Sequence, residues 1–234
     1  SELNAYDAKL NNALILEDTK VINTQRNKSH WDIYLNNNKR LQSKILINAA
    51  GPWINRVQQD IIKIKNQKKL RLVKGSHIVT NRLHNFDCAL TLQNDDKRIV
   101  FVIPYKNNTS LIGTTEVEVS EPEENIIESI EIEYLINSVN KYVNNPISKK
   151  DILSTFSGIR PLIEDFNSNA SKITRDYVFD LNVDDNFAPL MSIFGGKLTT
   201  YRKLAEDVLL KLSNFLPQHS NKGWTSTKKL PNIK

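Results

Sequence analysis

Three basic residues and one histidine stand in settings that could do chemistry. Arg160 lies in "SGIRP", where Gly158 and Pro161 restrict the backbone around the guanidinium. Arg175 lies in "ITRDY", and Lys197 follows the Gly195-Gly196 pair directly. A planar guanidinium fork together with a compact ammonium is a good receiver for a phosphate monoester. Singly, each is equally a surface charge or half of a structural ion pair, Arg175 with Asp176 for example. His77, in "KGSHI", reads either as a polar residue lining a site or as a structural one. Ser76 and His77 do not make a nucleophile and its base, because adjacent residues on a strand point to opposite faces. No G-x-S-x-G elbow supports a hydrolase either.

Two glycine sites suggest places where something approaches the backbone. In "SIFGGKLTTYRKLAE" an apolar run (Leu190, Met191, Ile193, Phe194) meets Gly195 and Gly196. A helix is expected next, with Tyr201, Leu204, Ala205, Val208, Leu209 and Leu212 on one face. Strand, double glycine and helix start bring an anionic group to unsatisfied backbone N–H donors. In "KILINAAGPW" an apolar strand exits through Ala49, Ala50, Gly51 and Pro52. That pattern fits either a close approach of backbone to a ligand or a tight turn after a core strand. Yet no G-x-G-x-x-G occurs anywhere in the chain.

Composition narrows the classes. With 234 residues the chain can bury a sizeable core. A net charge of +6 and a pI near 9.2 suit anionic small molecules, a membrane surface or nucleic acid, or simply a basic surface. Basic stretches such as "KIKNQKKLR" lack interleaved aromatics, so a solvated face is preferred to nucleic-acid binding. The single cysteine, Cys88, rules out an internal disulfide and fits a reducing compartment. His30, His77, His84 and His219 show no metal-ligand spacing, so no metal site is expected. No apolar run approaches the roughly 20 residues of a membrane helix, so any membrane contact is peripheral. The chain opens on Ser1 rather than methionine, which suits a piece of a longer protein.

The elements that would position these groups follow from periodicity. A short helix is expected over Leu3–Leu10, with strands at Ala13–Leu16, Trp31–Leu35 and Lys44–Asn48. Asn36–Arg40 reads as a hairpin turn. "LRLVKGSHIV" and Ile99–Ile103 read as strands, the latter central and stopped by Pro104, and "TSLIGTTEVEV" continues the sheet. A helix is expected from Ser120 as its cap, with Ile127, Ile130, Tyr134, Leu135 and Val139 inward and Asn144-Asn145-Pro146 as its stop. Ile152–Leu190 reads as short strands alternating with polar turns. The order predicts an α+β fold in which a mixed-sheet middle domain is inserted into an α/β domain.

In order, "INAAGPW", "LRLVKGSHIV", "LQNDDKRIVFVIPY", "LIGTTEVE", "SGIRPL", "ITRDY" and "FGGKLTTYRKLAE" closely resemble the FAD-dependent sn-glycerol-3-phosphate dehydrogenase family, the respiratory, quinone-reducing type. The resemblance runs from about Leu3 to Leu212. It implies a substrate-binding cap inserted into a partial FAD-binding domain of the D-amino-acid-oxidase and glycerol-3-phosphate dehydrogenase type. The expected division is 1–56 as part of the FAD domain, 57–189 as the cap, 190–213 as the closing strand and helix, and 214–234 as a tail toward a further domain. The family's first βαβ unit, which carries G-x-G-x-x-G, is not in this chain, so the chain alone is expected to be inactive.

The resemblance places Ala49, Ala50, Gly51, Pro52, Gly195, Gly196, Lys197, Leu198 and Thr199 near the FAD. It places Arg160, Arg175, Lys197 and His77 around sn-glycerol 3-phosphate. Arg175 and Lys197 would take the phosphate, Arg160 the C2 oxygen, and His77 positioning or proton transfer, with Arg160, His77 and Lys197 nearest the reaction. Electrons would pass to a quinone from a cytoplasmic protein held peripherally on the inner face of the cell membrane, with room for a homodimer. The oxygen-using glycerol-phosphate oxidases are the alternative within the family. A basic membrane- or nucleic-acid-binding module is the alternative outside it.

Overall fold

The structure is a computed structural model and describes residues 2–64, 68–163, 177–217 and 223–231. In chain order its elements are α1 (Glu2–Leu10), β1 (Val21–Arg26), β2 (Trp31–Leu35), β3 (Arg40–Ser43), β4 (Leu46–Asn48) and α2 (Ile54–Arg56), which runs on as a π-helix over Val57–Ile62. Next come β5 (Leu70–Asn81), β6 (Leu90–Gln93), β7 (Ile99–Tyr105), β8 (Thr109–Gly113), β9 (Val117–Val119), α3 (Ser129–Asn140) and β10 (Ile152–Ile163). The chain closes with β11 (Val178–Asp184), β12 (Phe187–Phe194) and α4 (Tyr201–Lys211). Two compact units result, Ser1–Lys68 with Thr174–Lys234, and Lys69–Ile173.

The first unit holds two three-stranded sheets. β12 pairs antiparallel with β11 and parallel with β4, so β12 sits between them. One face of this sheet buries Met191 against Val208 and Leu212 of the α4 region. The other buries Ala188 and Leu190 against Trp31 of β2 and Ile62 of the π-helix. The β1–β2–β3 meander is pinned by Asp32, which accepts from Gln42, Arg40 and Asn27. Those bonds, Gln42's first and Arg40's next, hold the Asp32 carboxyl down to about 2. A groove of about 640 Å³ runs beside β4, floored by apolar side chains including Ile45, Ile47, Leu209 and Phe215.

The second unit is an antiparallel sheet in the order β10-β5-β8-β7-β6, with β9 pairing the first half of β5. Strand alternation splits it into two faces. Ile78, Leu92, Val100, Val102 and Ile112 point to one face and bury against Leu135, Ile136 and Val139 of α3. The opposite face carries His77, and Phe101 and Phe156 remain about half-exposed there.

Several elements depart from the sequence expectations. Residues 13–16 form no strand, and Leu14 is exposed, because the first meander strand is Val21–Arg26 instead. β7 runs through Pro104 rather than stopping there. β6 pairs only with Ile99–Val102, so Pro104 lies past the end of that neighbour. The main helix starts at Ser129, not near Ser120. Its cap is Glu128, in a reciprocal capping box with Glu131. This start turns Glu131, Leu135, Ser138 and Val139 inward and leaves Ile130 exposed. Residues 152–163 form one twelve-residue strand rather than short pieces, since all but one of them find a partner along β5.

Candidate functional site

Each unit brings part of the predicted set together. In the first, β4 and β12 run parallel with Asn48 opposite Ser192, so the two glycine turns leave the same end of adjacent strands. Carboxyl ends of neighbouring parallel strands are where open α/β sheets receive ligands. Both turns need glycine for backbone reasons, with φ of +55° at Gly51, +72° at Gly195 and +104° at Gly196. Among the described residues, no atom other than those of Gly51 and its chain neighbours lies within 4 Å of where a Gly51 Cβ would be. The turn after β4 is held from below. Asn48 Oδ1 accepts from the Ala50 N–H while its Nδ2 donates to the Ile54 carbonyl. Beyond the second turn, Lys197 is exposed and caps a short 3₁₀ turn, Leu198–Thr200, that leads into α4. Leu198 is 86% exposed, an apolar side chain offered outward beside bare backbone.

In the second unit, cross-strand register assembles His77 and Arg160. His77 of β5 lies opposite Phe156 of β10 on one side and Gly113 of β8 on the other. Its ring stacks on Phe156 at 4.8 Å and 10° and lies across Gly113, where a Cβ would come within 2.7 Å of the His77 Cγ. Arg160 reaches over Gly75, where a Cβ would meet its Nη2 and Thr114 Oγ1 at 2.6 Å. Arg160 Nη2 donates to Thr114 Oγ1 at 3.3 Å. Each of the two candidate side chains thus occupies room that a glycine leaves open.

Electrostatics fix the state of the histidine. Burial first, and the nearby Arg160 charge second, push the His77 imidazole below its ordinary 6.5. It is therefore neutral at pH 7 and able to accept a proton. Its Nδ1 is enclosed, with no hydrogen-bond partner among the described residues. Ser76, next in sequence, points to the other face and donates to Glu131, as strand alternation requires.

Arg175 lies outside the described residues. Thr114, Phe156 and the clearing roles of Gly75 and Gly113 were not anticipated from sequence. The available signal was a pair of glycines inside strands, which marks close approach of another group. Among the described residues, no group of three or more His, Cys, Asp or Glu is placed to hold a metal ion. No helix among them is long and apolar enough to cross a membrane.

Comparison with known proteins adds a family to this geometry. Residues 2–202 match the model of the FAD dependent oxidoreductase family. The chain is 39% identical over 234 residues to glycerol-3-phosphate dehydrogenase of Pseudomonas aeruginosa, covering 98% of this chain and 46% of that protein. It is 37% identical over 235 residues to D-erythritol 1-phosphate dehydrogenase of Brucella abortus, again covering 98% of this chain and 46% of the relative. Among solved structures, glycerol-3-phosphate dehydrogenase from Bacillus halodurans complexed with FAD superimposes with a TM-score of 0.73 at 23% identity, over 93% of this chain and 42% of that one. The chain thus spans about half the length of the curated relatives it matches. Taken with the parallel-strand turns and the mixed sheets, the match over residues 2–202 means that this chain belongs to the FAD dependent oxidoreductase family.

Proposed function

We propose that this chain forms the substrate-facing part of a flavin enzyme that oxidises sn-glycerol 3-phosphate to dihydroxyacetone phosphate. The carrying observation is an imidazole and a guanidinium on one sheet face, His77 and Arg160, each seated over a glycine, with burial favouring the neutral ring. The names of the relatives supply the substrate class, a polyol phosphate. In this reading the second unit is the substrate cap and the first is part of the FAD-binding domain.

The residues present fit one portion of the cofactor. Gly51, Gly195 and Gly196 hold their backbones in left-handed turns at one end of the β4–β12 pair, and Leu198 offers an apolar surface there. Ala49, Ala50, Gly51 and Pro52 on one turn, and Gly195 to Thr199 on the other, would hold FAD. When bound, FAD supplies the acceptor for the hydride that leaves C2. Arg175 and Lys197 bind the phosphate as fork and point charge. Arg160, braced by Thr114, holds the C2 oxygen and stabilises its developing negative charge. His77 takes the hydroxyl proton on Nε2, since Nδ1 is enclosed. The electron acceptor is a quinone rather than oxygen, and the net charge of +6 favours an anionic membrane surface on the cytoplasmic side. With no G-x-G-x-x-G of its own, the isolated chain retains too little of the site for turnover.

The test is a titration of the chain with sn-glycerol 3-phosphate, followed through the ring resonances of His77 by NMR. Saturable shifts that Arg160→Ala weakens are expected. No response of His77 at millimolar ligand would overturn the reading. Erythritol 1-phosphate and inorganic phosphate in parallel separate recognition of the polyol from recognition of the phosphate.

A further inference from the structure

Beneath the His77 face lies a buried polar cluster that the reaction does not use. Lys74 is 1% exposed and Glu131 is 2% exposed, both on the side of the sheet that faces α3. Glu131 Oε1 accepts from Ser76 Oγ and from Thr115 Oγ1, each at 2.7 Å. Its Oε2 accepts from the Glu128 N–H at 2.9 Å and faces Lys74 Nζ at 2.9 Å. Lys74 Nζ also donates to the Ile126 carbonyl at 2.9 Å and to Glu128 at 3.2 Å. Ser157 Oγ donates to Ser76 Oγ at 2.7 Å, which brings in β10.

Stability alone is a poor reason for such a cluster. A buried ion pair is often no better than apolar residues of the same volume. Its sequence neighbours suggest another reason. Ser76 sits between Gly75 and His77, Thr115 follows Thr114, and Ser157 sits between Phe156 and Gly158. Each of these three residues is therefore the back of a residue that builds the His77 face. The join at Thr115 matters most. There β5 changes partner from β8 to β9, and the Ser76 N–H donates to Thr115 Oγ1 while the Thr115 N–H donates to the Ser76 carbonyl. Thr114, the residue that braces Arg160, lies in that gap.

We infer that Glu131 is a positioning residue: its carboxylate ties β5, the β8–β9 join and, through Ser76, β10 into one register, which sets His77 against Phe156 and Arg160 against Thr114. The inference rests on the reading above that His77 and Arg160 face the substrate. In support, Glu131 is held below its usual range although burial opposes this, because Thr115, the Glu128 N–H, Lys74 and Ser76 all bond its charged form.

The test compares Glu131→Gln, Thr115→Val and Thr115→Ser in the full chain. NMR titration of the His77 ring is read beside the Phe156 ring signals. Glu131→Gln and Thr115→Val are expected to move the His77 midpoint up toward 6.5 and weaken the Phe156 stack, while Thr115→Ser keeps both as in the native chain. Affinity for sn-glycerol 3-phosphate is expected to fall about tenfold in the first two variants, roughly what one misplaced charged hydrogen bond is worth. A lower melting temperature with an unmoved His77 midpoint and unmoved Phe156 signals would make the cluster merely structural and overturn the proposal. If Glu131→Gln fails to fold, the Thr115 pair decides alone. If the native chain ignores sn-glycerol 3-phosphate, the substrate reading falls, and the His77 titration still decides the positioning role.

Discussion

At the ends of β4 and β12 the first unit presents backbone, on turns that only glycine adopts readily. On the face formed by β10, β5 and β8 the second unit presents side chains, with glycines that merely make room. The same residue type thus does two different jobs. At Gly51 and Gly196 it permits a dihedral angle. At Gly75 and Gly113 no left-handed φ is required, and the missing Cβ is the space that Arg160 or His77 fills. A site made of backbone depends on a few local torsions. A site made of side chains depends on the register of three strands and on whatever lies behind them.

The sharpest way to break this contrast is to attack what lies behind the side-chain face. Glu131→Leu leaves the Lys74 ammonium with half of its carboxylate partners, Glu128 alone, and should cost about 3–5 kcal/mol. In urea unfolding followed by resolved resonances, the loss should fall on the second unit. Gly113→Ala should come next, at about 1–3 kcal/mol, because a methyl there collides with the His77 ring. Its signature is loss of the Phe156 ring-current shift on His77. Gly51→Ala has open space around it and should cost only the left-handed backbone, about 1–2 kcal/mol, with no side chain displaced. Equal spectral disturbance at Gly51 and Gly113 would erase the distinction between the two jobs.

The smallest effect is on pH dependence. His77 titrates below its ordinary 6.5 when folded, so the unfolded chain binds the extra proton first as pH falls. Stability of the second unit should therefore decline from about pH 6.5 downward until the folded histidine also protonates. His77→Gln should remove that part of the slope while leaving the carboxylate contribution at lower pH. An unchanged slope in the variant would mean that the ring is not held neutral by its surroundings.

Sequence made the backbone site legible and much of the side-chain site illegible, for a physical reason. The glycine turns, the apolar strands and α4 are local signals, so "AAGPW" and "FGGK" pointed to where they lie. His77 and Arg160 were picked out by type and resemblance, but their relation through Gly75, Gly113 and Thr114 exists only once β5 has met β8 and β10. Lys74 and Glu131 drew no attention because a lysine in a strand and a glutamate in a helix normally reach water. Glu131 turned inward because its helix begins at Ser129, and the acidic residues before it drew the expected start too early. The β1 strand escaped notice because "VINTQR" alternates apolar and polar residues too weakly to compete with the more apolar Ala13–Leu16. Arg175, the residue meant to complete the phosphate site, lies outside the described residues.

The long β5–β10 ladder also sets when the face that carries His77 and Arg160 can exist. Ser76 and Ser157 touch although 81 residues separate them in the chain. Contacts of that span are late and slow in folding, since the intervening loop must close before any of them is rewarded. During synthesis β5, β8 and β7 can pair while β10 is still in the ribosome, leaving one edge of a finished-looking sheet bare. His77 then has Gly113 on one side and nothing on the other until Phe156 arrives. Arg160 comes with the same strand. The two groups therefore acquire their environment in a single event, and a nascent chain interrupted before Phe156 would leave His77 without its stacking partner and lack Arg160 altogether.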